Sequence, residues 1–571
     1  MDQTHSEELR EARQALVDRT TLTGADLRTA LVDLADNWLA KRVGDVDGVA
    51  LVAVGGYGRR EPAPGSDFDL LLVHDGRGDD VKSIADGVWY PVWDAGVGLD
   101  HSVRTVAEAS AVAAEDLKAA LGLLDARHIA GDPDLTAQLR EAIYARWRRD
   151  ARRRLEELAE ATRDRWEKNG ELAFLLEPDL KESRGGLRDV HALHAVAATW
   201  LVDVPSARIE PAHTFLLDVR GELHRRSARV TDRLVLQEHA AVATSLGYDD
   251  VDALMRDVSS AGRSISFAAD ETWRRVRGAL RPPRRWRQRA PVRRPLADGV
   301  VEQDGEVVLA RDASPANDPV LVLRVAAAAA QHALPIAPHT VDRLNVESAP
   351  MPEPWPASAR DWLLALLGAG ADAVPVVEAL DQAGLWVRLI PEWERVRCKP
   401  QRNPVHRFTV DRHLIEAATH AAALTRHVAR PDLLLLGALL HDIGKGWPGD
   451  HTDAGVAVVP AIAGRLGLPT HDVDVIVTLV RNHLLLPDTA TRRDLDDPAT
   501  PQLVADAVAD RGTLELLHAL TEADALATGP AAWGDWKAGL VANLVRRAAA
   551  VLVGVPVEAS DGLDEAQRSL A

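Results

Sequence analysis

Two aspartates one residue apart, Asp67 and Asp69, stand eleven residues after a Gly-Gly pair, Gly55-Gly56, in LVAVGGYGRREPAPGSDFDLLLVHD. Residues i and i+2 of an extended strand share a face, so the two carboxylates project together while Phe68 points into the core. Backbone without side chains at a strand-to-helix turn lets N–H groups come close to phosphate. Hard divalent ions such as Mg2+ prefer oxygen ligands shared with substrate phosphates, and a metal pair steadies both the attacking and the leaving oxygen of a phosphoryl displacement. An isolated Asp-x-Asp more often caps a turn. Here the upstream glycines and the flanking strands point instead to Asp67 and Asp69 as catalytic metal ligands beside a nucleotide held at Gly55 and Gly56. Asp100, in VGLDHSVRT, is the candidate third carboxylate that completes the site and helps activate the nucleophile.

A second set lies far downstream. His413 is followed by the adjacent pair His441-Asp442 at the end of the apolar run LLLLGALL, and much later by Asp524. Burying a His-Asp pair without partners costs several kcal/mol, on the order of a lost ion pair, and a bound metal is a natural way to satisfy it. Imidazole and carboxylate ligands carried by separate helices can converge in a bundle core and leave positions open for water and phosphate. Lys445 is placed to neutralise a substrate phosphate, and His451 and His483 to serve a second metal or the leaving group. His406, His420, His471 and His518 read as surface or packing residues.

The elements that must position these residues follow from periodicity. Apolar residues at helical spacing (Leu16, Leu27, Leu31, Leu34, Leu39) predict helix over residues 1–45, followed by strands at Val49–Val54, Asp67–Val73 and Val97–Val103, with a helix over 79–93 between the last two. Residues 1–110 thus read as a small α/β domain, and 111–280 as helical apart from Glu177–Asp189. The segment RPPRRWRQRAPVRRPL (281–296), with seven arginines and four prolines, reads as a solvated linker. A hairpin turning at Asp304-Gly305 is predicted over 299–310, and helices thereafter, with interruptions at 349–356 and 397–405. The expected class is α+β, mostly α.

With 571 residues the chain is long enough for several domains, and 46% apolar with 27% charged residues is the composition of an ordinary globular protein. A net charge of −19 makes nucleic acid an unexpected partner. The single cysteine, Cys398, and an N-terminal stretch, MDQTHSEELREARQ, without an apolar core predict a reducing, cytoplasmic setting. The longest apolar stretch, near Val320–Ala333, is broken by Arg324 and is too short to span a bilayer, so no membrane association is expected.

GGYGRREPAPGSDFDLLL resembles the nucleotidyltransferase motif of the DNA polymerase β-like superfamily, and the order His413, His441-Asp442, Asp524 resembles the HD phosphohydrolases. More narrowly, these segments resemble the bifunctional uridylyltransferase/uridylyl-removing enzymes that modify the nitrogen-signalling protein PII. WDAGVGLDHSVRT (93–105), EPDLKESRGGLRDVHAL (177–193), PEW (391–393), HRFTVDRH (406–413) and TEADALATGPAAWGDWK (521–537) support the narrower match. The resemblance implies a polymerase β-like α/β domain over 1–110, a helical domain over 111–280, a connector over 281–398, an all-α HD domain over 399–555 and a polar tail over 556–571. It adds Ser66, Lys181, Arg184 and Arg188 to the nucleotide-binding residues. In the third-strand segment the family commonly carries Glu where this chain has Gly98, which leaves Asp100, on the same strand face, as the candidate. Members usually end in two glutamine-sensing ACT domains, and the sequence stops at Ala571 without them.

The activity so implied is transfer of a nucleoside monophosphate from UTP to a tyrosine of a PII-type protein with Mg2+, and hydrolytic removal of that group by the HD domain with Mg2+ or Mn2+. ATP is the alternative donor, because the Arg-, Ala- and Asp-rich composition suggests a high-GC genome, where relatives adenylylate. Two rivals use the same modules: a tRNA or second-messenger nucleotidyltransferase, disfavoured by the acidic charge, and a scaffold without turnover, which would have lost the ligands that are present here.

Overall fold

The computed structural model describes residues 2–77, 80–227, 230–281, 293–403 and 405–554. They form two compact units, residues 1–284 and 285–571.

The first unit is built on a four-stranded sheet: β1 (Val49–Ala53), β2 (Phe68–His74), β3 (Leu99–Thr105) and β4 (Arg127–Gly131), in the spatial order β3-β2-β1-β4. β1 is antiparallel to β2 and β4, and β2 is parallel to β3. All five residues of β1 are buried. Strand alternation divides them between two cores. Leu51 and Ala53, with Leu70 and Leu72 of β2, meet Val32 and Leu39 of the helix Gly24–Val43 and Trp89 and Val92 of the helix Val81–Asp94. Ala50 and Val52, with Leu71 and Val73, meet Leu135, Leu139 and Ile143 of the helix Pro133–Arg149.

The predicted strands are present, with ends one or two residues from those read off the sequence. One strand was not anticipated. Arg127–Gly131 lies in the stretch read as helical, and its pairing with β1 carries the sheet past residue 110. Its five residues bury only Ala130 fully, so no period-2 signal stands out between two helical patterns. The helices that follow include Leu187–Ala198, Ser206–Arg226 and Val251–Leu280, and Glu177–Gly186 forms the expected irregular segment before the first of them.

The second unit opens with a three-stranded antiparallel sheet, β5 (Arg294–Ala297), β6 (Val300–Gln303) and β7 (Glu306–Leu309). The hairpin turns at Asp304 and Gly305, with φ of 56° and 85°. Positive φ at both positions is the two-residue geometry that Asp-Gly favours. β5 corrects the linker reading of 281–296 at its end. Pro295 is tolerated because this strand pairs on one side only. Residues 282–292 and the polar tail 556–571 lie outside the described residues. Helices account for the rest. Pro431–Leu440, PDLLLLGALL, is buried on every side from Leu433 onward, which explains its uniform apolarity. Val410–Leu424 and Arg511–Thr528 pack against each other and against it. Among the described residues no single helix is long and apolar enough to cross a membrane.

Candidate functional site

In the first unit the site begins at the Gly turn. β1 runs into the short helix Gly55–Gly58, with Gly55 at φ 54°. A Cβ on Gly55 would sit 3.0 Å from Asp69 Oδ2, so the bare backbone lies directly against the carboxylate. Tyr57 anchors the turn from below. Its ring stacks on Phe68 at 4.9 Å and its hydroxyl donates to Asp36 at 2.6 Å. Phe68 thereby fixes the strand start that carries Asp67 and Asp69.

Parallel pairing puts Asp69 opposite Asp100 in register. The pair share a sheet face, and the chemistry of their side chains registers it: burial, then the negative charges of Asp100 and Asp67, raise the Asp69 pKa above the usual carboxylate range, while Lys181 and Arg59 oppose them. Three crowded carboxylates are a donor set that a divalent cation relieves, so the residues fit Mg2+. At Gly98 a Cβ would fall 1.9 Å from Asp67 Oδ1, so Asp67 occupies the space that a side chain at 98 would need.

Of the three basic residues of the 177–193 segment, Lys181 is the one whose charge acts on Asp69, and it also pairs with Asp232 at 3.7 Å. Arg184 is instead tied to Asp270 at 2.7 Å and lies over the Trp166 ring, and Arg188 pairs with Glu182 at 3.2 Å. Both charges are held in ion pairs. Ser66 accepts the Ala63 N–H at 2.9 Å and shapes the loop leading into Asp67.

In the second unit the predicted ligands converge, and they do so as two sets. His413 Nε2 lies 3.1 Å from Asp524 Oδ1 and 3.2 Å from His441 Nε2, with His441 Nε2 3.4 Å from the same Asp524 oxygen. The other set is Asp442, His451 and His483. Asp442 joins them: Oδ2 faces His413 and His441 at 3.7 and 3.6 Å, and Oδ1 faces His451 and His483 at 3.7 and 3.6 Å.

The tautomers decide what this cluster wants. His441 Nδ1 lies 2.9 Å from the Ala438 carbonyl and His483 Nδ1 lies 2.7 Å from that of Val480. A carbonyl only accepts, so each Nδ1 carries a proton and each ring turns Nε2 into the cluster, where it offers a lone pair once that nitrogen is deprotonated. Lone pairs and carboxylate oxygens converging in a buried space call for a cation. Asp442 Oδ1, which faces His451 and His483, is buried without a hydrogen-bond partner, as a vacant ligand atom would be. The donor set fits a divalent metal.

Lys445 lies against the cluster. Its ammonium contacts Asp442 Oδ2 at 2.6 Å and donates to Gln401 at 2.7 Å. His406, read as a surface or packing residue, lies against the cluster, its ring 5.6 Å from that of His413, and burial followed by the Lys445 charge pushes its pKa down to about 4. Four side chains near the first site were missed altogether: Arg59, Glu61, His191 and His213, whose polar ends meet although Glu61 and His191 are 130 residues apart.

Gly444 shows how closely the second site is framed. A Cβ there would meet the His451 carbonyl at 2.0 Å and the Gly455 nitrogen at 2.4 Å. Gly444→Ala is expected to push the helix that begins at His451 out of place and to cost about 1–3 kcal/mol, the scale of an overpacked core. A fall in Tm together with reduced metal content by elemental analysis checks it.

Comparisons with known proteins agree on both units. A family model described as HD domain matches residues 410–529, and one described as GlnD PII-uridylyltransferase matches residues 152–202 and 192–273. A bifunctional uridylyltransferase/uridylyl-removing enzyme of Streptomyces coelicolor is 58% identical over 562 residues, covering 95% of this chain and 67% of its own length. Proteins of the same description from Mycobacterium tuberculosis and Corynebacterium glutamicum are 50% and 41% identical, covering 92% and 85% of this chain and 67% and 70% of theirs.

Proposed function

The chain belongs to the bifunctional uridylyltransferase/uridylyl-removing enzymes, and from that premise we propose that its first unit transfers UMP from UTP to a tyrosine of a PII-type signal protein while its second unit hydrolyses that linkage. The observation that carries the reading is that one chain holds both a glycine turn against an Asp67–Asp69–Asp100 face and a six-ligand His/Asp cluster. A scaffold without turnover would have no reason to keep either.

In transfer, the backbone at Gly55 and Gly56 receives the triphosphate, and Asp67 and Asp69 would hold the metal. Asp100, across from Asp69, takes the proton from the tyrosine hydroxyl as its oxygen bonds to the α-phosphorus and pyrophosphate departs. Lys181 balances the carboxylate charge. In removal, a water oxygen bonds to the same phosphorus, the bond to the tyrosine oxygen breaks, and UMP and free tyrosine result. His413, His441, Asp442 and Asp524 would hold one metal, with His451 and His483 joining Asp442 around a second. Bound divalent metal, Mg2+ in the first site and Mg2+ or Mn2+ in the second, polarises phosphoryl oxygens and makes water acidic enough to react near neutral pH. The setting is cytoplasmic, where UTP and the signal protein meet.

Incubating the protein with a PII-type protein, Mg2+ and labelled UTP or ATP in parallel tests the reading by the mass added to PII. A uridylyl gain is expected. An adenylyl gain would replace the donor, and no gain from either donor would overturn the reading.

A further inference from the structure

The segment EPDLKESRGGLRDVHAL resembles its family without having an evident chemical task beyond Lys181, and the structure gives it one. Arg59 ends the Gly55–Gly58 turn, its N–H donating to the Gly55 carbonyl, and its Nη2 would lie 3.8 Å from a Cβ on Gly56. Three groups hold its guanidinium: Glu61 accepts from Nε at 2.8 Å, Asp125 accepts from Nη1, and His191 Nδ1 lies 3.3 Å from Nη2. We propose that His191 is a positioning residue of the transferase, acting as the acceptor that, with Glu61, orients Arg59 and so holds the Gly55–Gly58 turn in the form that receives the nucleotide phosphates. This rests on the transferase reading of the first unit.

The proton positions carry the argument. Guanidinium is a donor only, so the His191 Nδ1 facing it must present a lone pair. Its proton then sits on Nε2, which donates to Glu61 Oε2 at 3.0 Å. Burial, then the nearby Arg59 charge, pushes the His191 pKa down to about 3, so the ring is neutral near pH 7. Glu61 also lies 3.2 Å, through its other oxygen, from Nε2 of His213 on the helix Ser206–Arg226. Although burial opposes its charge, the His191 hydrogen bond, the close His213 ring and the Arg59 charge draw its pKa far below the usual range. Two helices of the region after the sheet are thereby latched to the phosphate turn, with Arg59 as the bolt.

The same three side chains, Glu61, His191 and His213, bring ligand atoms within 4.8 Å of one another, so a metal site is the competing account. The Arg59 contact argues against it. An imidazole that ligates through Nε2 keeps its proton on Nδ1, which here would point a second donor at Arg59 and leave two cations side by side.

Paired variants distinguish the accounts. The Asn amide oxygen reaches the Nδ1 position, whereas Gln reaches the Nε2 position. His191→Gln is therefore expected to raise the KM for UTP and the Kd for Mg·UTP by about tenfold or more, the scale of a lost hydrogen bond to a charged group. His191→Asn is expected to stay within about threefold of the parent protein by the same measure. Removal of uridylyl groups from pre-modified PII stays unchanged in both. Equal loss in both variants, or loss confined to kcat, overturns the proposal. So does tetrahedral Co2+ absorption, titrated into a protein carrying His441→Ala and Asp442→Ala, that disappears on adding His213→Gln. If the parent protein binds Mg·UTP but labels no PII, the transferase reading fails while the Kd comparison still decides the role of His191.

Discussion

Asp69→Asn yields a protein that strips uridylyl groups from PII but no longer adds them, with transfer down by at least about 10²-fold, the scale of removing a group that stabilises charge chiefly in the transition state. The amide keeps the shape of the side chain against Gly55 and loses the charge that would hold Mg2+. It also makes a counterintuitive statement about stability. The Asp69 pKa is raised in the folded protein by burial and by Asp100 and Asp67. A carboxylate so raised destabilises the fold once pH exceeds its folded value, and the cost disappears below its unfolded value, where both states are protonated. Asn removes that cost, so Tm at pH 7 should hold or rise while transfer collapses. Loss of transfer accompanied by a falling Tm would point to misfolding, and full transfer would remove Asp69 from the site. Asp67→Asn should share the loss of transfer.

His441→Ala should do the reverse: transfer intact, removal down by about 10³-fold or more, in line with losing one member of a group that acts as a unit. His441 is fully buried, and its Nε2 sits among His413, Asp442 and Asp524. Truncation removes a ligand and leaves Asp442 and Asp524 less compensated. Burial opposes the charged form of His441, yet those two carboxylates outweigh it and raise its pKa, a measure of how strongly the pocket attracts positive charge. With UTP and PII present, the variant should carry PII to a higher final extent of modification than the parent protein, read by mass. Unchanged release of UMP from modified PII would sink the assignment of the second unit to removal.

Much of both sites could be read from short-range pattern. The Asp-x-Asp pair, the Gly-Gly turn and the Asp304-Gly305 hairpin are local statements in which backbone geometry and residue type are tied together within a few positions. The His-Asp doublet stood out because a charged pair ending an apolar helix needs a partner. What escaped is non-local. Arg127–Gly131 becomes a strand because β1 offers an edge, not because its residues insist on it. Glu61, His191 and His213 meet through tertiary packing, and nothing in their spacing announces it. The division of the second cluster into two sets, with Asp442 facing both, follows from where separate helices place the rings, which sequence order does not encode.

β4 also governs how this protein can be dissected. A fragment cut after residue 110, where composition invites the cut, would keep Gly55, Asp67, Asp69 and Asp100 while stripping β1 of one hydrogen-bonded neighbour. It would lose as well the Asp125 and His191 partners of Arg59. An all-buried central strand would become an open edge, the kind that recruits other chains. The smallest useful piece for crystallisation, screening or grafting is therefore defined by its hydrogen-bonding partners, and it extends at least through the helices that carry His191 and His213.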